Sequence, residues 1–151
     1  MSFTERFTEV HYPLIKIAPA VKSAGAEVIS AYVEAGLYTR FALVIHLGAI
    51  AATGTMLVRL LQATSTAGAS AKGIPSTAAQ TKITSALVTG DANGIVVIEL
   101  TAEELDVDRG FDCLAVGYDV DTDTVAMSAI LYGIEPRYAP VDVTAYNEVV
   151  P

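Results

Sequence analysis

At 151 residues the chain is long enough for one domain, which would bury roughly two-thirds of its unfolded surface. Apolar residues make up 52% and charged residues 17%, against the usual quarter charged, so a solitary globule has too little interior for them. Part of the surplus is Ala, which costs little to expose, and part is expected at contacts between subunits. The net charge of −8 is uneven, with seven basic and four acidic side chains in residues 1–90 but two and thirteen in residues 91–151; no basic cluster exists to displace counterions, which argues against a nucleic-acid partner.

The charge split reads either as a solvated acidic face on the second half or as head-to-tail complementarity between subunits or with a partner. One cysteine, Cys113, allows no intrachain disulfide. Met1-Ser2-Phe3-Thr4-Glu5-Arg6 has no basic region leading into an apolar core, so no secretory signal is expected. The longest uncharged run, residues 41–58, approaches a membrane span in length. Gly48, Thr53, Gly54 and Thr55 interrupt it and divide it into two strands and a turn, so no membrane partner is expected.

In chain order, residues 9–17 form an extended segment in which Pro13 lacks the ladder donor. It belongs at an edge or in an arm, and about residues 1–24 are assigned to an N-terminal arm. Strands follow at 28–34, 39–47, 55–62, 83–88, 95–100, 111–120 and 124–133, each an apolar, β-rich stretch closed by Gly, Asp, Asn or Ser. Val44 and Ile45 lie in a stretch apolar on both faces. Residues 63–81, rich in Ala, Ser, Thr and Gly, have little to bury and read as a long surface loop. Asn93-Gly94, between two apolar strands, is a hairpin signal, and Asp121-Thr122-Asp123 joins two further strands. Thr101-Ala102-Glu103-Glu104 has capping-box spacing, with Gly110 to end a short helical crossover turn near 101–110. About eight strands without long helices between them predict an all-β, antiparallel sandwich or barrel in a single domain over 1–151, with a C-terminal extension at about 137–151.

Sites for chemistry are scarce. Asp119, Asp121 and Asp123 open like a calcium loop, but Thr124 stands where that loop needs Gly, and Ile130 where it needs Glu. His11, His46 and Cys113 give no close pair of zinc ligands, and His46, inside an apolar strand, is expected in the core or at an interface. Cys113 and His46 could be a nucleophile and base, yet FDCLAV suits a small buried thiol. Nucleophile elbows and Gly-rich phosphate loops are missing. No cofactor, metal or enzymatic activity is expected. The seven tyrosines are scattered rather than grouped into a stacking platform. Phe7, Tyr12, Leu14, Tyr138 and Tyr146, in the end segments, are the candidate interface residues.

The run from Thr101-Ala102-Glu103-Glu104-Leu105-Asp106 to Gly110-Phe111 leads into an apolar strand and an Ala/Ser-rich strand. The closing Arg137-Tyr138-Ala139-Pro140 follows. Together with Leu47-Gly48-Ala49-Ile50-Ala51 and Leu60-Leu61-Gln62-Ala63-Thr64, this pattern resembles small head proteins of tailed phages, the capsid decoration (cement or head-stabilising) family, over roughly residues 25–140. The resemblance implies a jelly-roll-like sandwich on the capsid exterior of the virion, bound to the major capsid protein and made in the host cytoplasm. It also implies a homo-oligomer, usually a trimer on local threefold axes, and supplies no catalytic residues. The alternatives are a head-completion or tail-tube component and a carbohydrate-binding sandwich using the 63–81 loop and nearby tyrosines.

Overall fold

A computed structural model describes residues 6–74, 82–137, 146 and 148. After one helical turn, α1 (Phe7–Val10), the chain forms β1 (His11–Ser23), β2 (Val28–Ile29), β3 (Val33–Glu34), β4 (Tyr38–Ile50), β5 (Thr55–Ala63), β6 (Lys72–Gly73), β7 (Ile95–Thr101), β8 (Cys113–Thr122) and β9 (Thr124–Pro136). Side-chain alternation sets the inward face of the long strands. In β4, Phe41, Leu43, Ile45 and Leu47 point inward; in β9, Val125, Met127, Ala129 and Leu131 do so. Leu43, Ile45, Val58, Leu60, Leu114, Val116 and Leu131 are fully buried between the sheets, and each contributes about 1.5–3 kcal/mol relative to exposure.

Sheet A has the order β1-β9-β4-β7 and sheet B the order β2-β8-β5-β6, with β3 also on β8. Every pairing is antiparallel. The links β1 to β2, β4 to β5, β6 to β7 and β8 to β9 each pass from one sheet to the other. Because β4 pairs with β9 while β5 pairs with β8, one two-stranded ribbon folds over a corner and continues in the opposite sheet. The strands β1 and β2 flank it on one side, β7 and β6 on the other. This is jelly-roll winding.

The four corners adjoin at one end. The Ala24 amide donates to the Asp123 carbonyl (2.9 Å) and the Ala51 amide to the Thr124 carbonyl (3.0 Å). Thr53 Oγ1 donates to the Asp123 carboxylate (3.1 Å) and Thr89 Oγ1 to the Ala51 carbonyl (2.9 Å). Space there is tight, since a β-carbon on Gly54 would sit 2.9 Å from the Thr124 carbonyl oxygen. At the opposite end buried Gln62 ties strand to turn. Its Nε2 donates to the Gly73 carbonyl (3.2 Å) and its Oε1 accepts from the Asp106 amide (3.0 Å). Lys72 pairs with Asp106 and lies 3.6 Å from the centre of the Phe111 ring.

Several local expectations are revised. The Pro13 segment, expected at an edge or in an arm, takes the edge position, and residues 11–23 form a full edge strand of sheet A with Pro13 and Pro19 inside it. The strand expected over 28–34 is broken at residues 30–32, where Ser30 Oγ accepts from the Val116 amide (3.0 Å). Residues 83–88 are not a regular strand. They touch β5 through two isolated bridges, Arg59 to Ile83 and Met56 to Leu87, because Thr84 Oγ1 takes the Val58 amide between them. Asn93-Gly94 is therefore no hairpin. It crosses from the sheet B edge to β7, with Asn93 at φ 60°. Residues 121–123 likewise turn a corner between sheets, with Asp123 at φ 57°. Within 63–81, Ala63 ends β5, residues 72–73 form β6, and Ile74 is fully buried; residues 75–81 lie outside the described residues. The crossover at 101–110 is two 3₁₀ turns, Ala102–Glu104 and Val107–Arg109, closed by Gly110 at φ 80°. Here the Glu104 carboxylate accepts from the amide (2.9 Å) and hydroxyl (3.3 Å) of Thr101, so the Thr101 oxygen donates where it was expected to accept.

Candidate functional site

The surface that departs most from a solvated sandwich is the outer face of sheet A. Strand register sets its rows. Pro13, Tyr132, Ala42 and Glu99 form one row across the sheet; Lys16, Ile130, Val44 and Val97 form the next; then come Ser128, His46 and Ile95. The rows on the inward face, such as Ile15, Leu131, Leu43 and Ile98, belong to the core. Sheet A is thus apolar on both sides, whereas a solvated antiparallel sheet alternates apolar with polar. Ile95 is 63% and Val97 52% exposed, while Ala42, Val44 and Ile130 are half-buried.

One end of this face carries an aromatic cluster. Phe7 stacks on His11 with ring centres 4.2 Å apart and meets Tyr132 edge-on at 5.6 Å. A groove of about 430 Å³ of mixed lining adjoins it, with His11, Arg40, Glu99 and Glu104 beside Phe41 and Leu100. Arg40 is held by Glu135 at 2.6 Å. Sheet B differs on its outer side. Arg59 donates to both carboxylate oxygens of Glu27 at 2.6 Å, and Asp119 lies opposite Leu57. Tyr32 packs over Gly68, where a β-carbon would sit 2.8 Å from its ring, and among the described residues the Tyr32 hydroxyl is buried without a hydrogen-bond partner.

The end-segment residues singled out from the sequence separate. Phe7 is exposed at the edge of the apolar face. Tyr12 faces the core and stacks with Tyr38 at 6.2 Å. Leu14 sits at a register shift of β1, packs against the core and lines a groove of about 410 Å³ between β1 and sheet B, with Val28, Val33 and Tyr118. Tyr146 donates its hydroxyl to the His11 carbonyl of its own chain at 2.6 Å. Tyr138 lies outside the described residues.

Cys113 and His46 are on different sheets. Cys113 is buried at the start of β8, while His46 is exposed on the outer face of sheet A rather than in the core. Burial first, then the hydrogen bond to Asp112 and the charges of Asp112 and Glu34, push the Cys113 thiol up to about 11, which keeps it protonated at neutral pH. Of the acidic triplet, Asp119 is half-buried beside Leu57, and Asp123 turns into the corner to take the Thr53 hydroxyl.

The sequence reasoning missed Ala42, Val44, Ile95, Val97 and Ile130 as a common surface. Their signal was present in strands apolar at consecutive positions, such as Ile95-Val96-Val97-Ile98. Comparison of the chain with protein-family models, with curated proteins and with solved structures finds no match.

Proposed function

We propose that the chain is a structural protein of a tailed-phage head that decorates and stabilises the icosahedral capsid. It binds the major capsid protein and neighbouring copies of itself, as a trimer on the virion exterior. The single observation that supports this most is the uncovered apolar outer face of sheet A, which a monomer in water leaves wet at a free-energy cost and a shell or neighbour would cover. The resemblance at residues 25–140 agrees with it. The test is co-sedimentation of the purified chain with emptied tailed-phage shells, beside a Val44→Lys/Ile130→Lys variant. Saturable binding by the natural chain, lost in the variant, is the expected result. Failure of the natural chain to bind shells contradicts the proposal.

A carbohydrate binder is the alternative that one observation favours. The Phe7, His11 and Tyr132 cluster beside the groove of mixed lining offers stacking next to hydrogen-bonding groups. It predicts glycan binding that is lost in Tyr132→Ala.

A further inference from the structure

We propose that sheet A continues from one copy of the chain into the next, with the β7 edge of one protomer lying antiparallel along the β1 edge of its neighbour, head to tail. This deepens the proposed lateral association and rests on it.

The β7 edge is half sealed. The Leu47 amide donates to the Gly94 carbonyl at 2.9 Å, so the Gly94 carbonyl faces β4. Alternation then turns the ladder groups of Ile95, Val97, Glu99 and Thr101 to the open side. Lys82 Nζ donates to the Glu99 carbonyl at 2.7 Å, and the Glu104 carboxylate takes the Thr101 amide at 2.9 Å. Lys82 and Glu104 are themselves paired at 2.8 Å, which fixes both caps. Among the described residues Ile95 and Val97 have no such cap, and their side chains are 63% and 52% exposed. A strand edge left in that state is a template for another strand.

The β1 edge suits it. Pro13 and Pro19 take donors away but leave carbonyls, so this edge accepts better than it donates, and the free amides of β7 supply donors. The apolar groove at Leu14, Ile17 and Val33 runs beside β1 and adds surface to bury.

Charge selects the pairing. The charged side chains of β1 are Lys16 and Lys22, both positive, whereas residues 89–108 contain six acidic side chains and no basic one. Lys16 shares a row with Val97, two residues from Glu99. Lys22 lies opposite Val125 at the corner end, where Asp91 also sits. Sliding one sheet beside the next brings Lys16 towards Glu99 and Lys22 towards Asp91. A twofold pairing of β7 with β7 would set acids against acids, and β1 with β1 would set lysines and prolines against their like. The head-to-tail contact is heterologous, and it generates a ring when the rotation between copies closes.

The test uses the natural full chain, a Lys16→Glu/Lys22→Glu variant and an Asp91→Lys/Glu99→Lys variant, each weighed by native mass spectrometry and checked for folding by circular dichroism. The natural chain should form a closed ring of three or more copies. Each variant alone should fall to monomer mass, and a chain carrying all four substitutions should regain the ring, because its two reversed edges again face each other with opposite sign. Double variants that keep the natural mass, or a fourfold variant that folds and stays monomeric, would overturn the proposal. If a variant does not fold, a zero-length carbodiimide cross-link of the natural chain decides. The two edges of one sheet are about 14 Å apart, so a Lys16–Glu99 link must join two copies. Finding that link supports the contact and its absence overturns it. A ring that ignores shells would defeat the capsid role alone, and a monomer that binds shells would defeat this contact alone.

Discussion

The Tyr38 ring occupies the space above Gly133, where a β-carbon would lie 2.6 Å from its Cγ. Gly133 is the inward position of β9 opposite Phe41 and Tyr12, so an aromatic ring fills what the strand lacks in side chain. Tyr12 stacks on the same ring at 6.2 Å and Phe41 meets it at 6.3 Å. Gly133→Ala should therefore expel Tyr38 from its site and destabilise the fold by about 1–3 kcal/mol, the usual cost of overpacking. Urea denaturation measures it. Tyr38→Ala, which opens the space instead, should make the added Gly133→Ala nearly neutral.

Gln62 is the buried polar side chain that holds the end opposite the corners, linking Gly73 to Asp106. Gln62→Leu keeps the volume but leaves a carbonyl and an amide without partners. The expected loss is about 2–4 kcal/mol, read from the denaturation midpoint. Exposed Gln-sized substitutions elsewhere, such as Lys16→Gln, should cost far less.

Acid should loosen the same end. The Asp106 carboxyl is held below its ordinary range chiefly by the Lys72 hydrogen bond, then by the charges of Lys72 and Arg109. Glu104 is also lowered; burial is the largest influence and pushes it up, but the hydrogen bonds from Lys82 and Thr101 outweigh it. Both folded values lie below the unfolded ones, so their contribution is complete above about pH 4–5 and is lost as pH falls through the folded values. Lys72→Met should lower the melting temperature at neutral pH, where the pairing is fully present, and flatten its fall with acid, so that the variant and the natural chain converge at low pH.

Cys113 should be inert while the chain is folded. With its thiol pushed up to about 11 and its side chain buried, the thiolate fraction at pH 8 is about one in a thousand. Iodoacetamide should label the native chain at least tenfold more slowly than the chain in 6 M guanidinium, by intact mass. Equal rates would contradict the burial.

Much of the fold is legible because its long strands announce themselves locally. The alternation of β4, the apolar content of β8 and the capping signal at Thr101 fix elements without outside help. Partnering is less visible. Asn93-Gly94 and residues 121–123 carry hairpin chemistry, yet both turn corners, because left-handed residues serve a change of sheet as well as a reversal within one. Ile74 shows the same limit, since one buried side chain anchors a stretch whose composition is that of a loop. The candidate surface was legible as a surplus of apolar residues but not as a place. The row of Ile130, Val44 and Val97 exists only once β9, β4 and β7 are side by side, and that pairing joins residues far apart in sequence.

The central claim is that the apolar outer side of sheet A is covered by association. Co-sedimentation of the natural chain at micromolar concentration with emptied shells tests it most directly. The account predicts saturable binding that is lost in Val44→Lys/Ile130→Lys. A natural chain that stays in the supernatant, or binding unchanged by those substitutions, would contradict it.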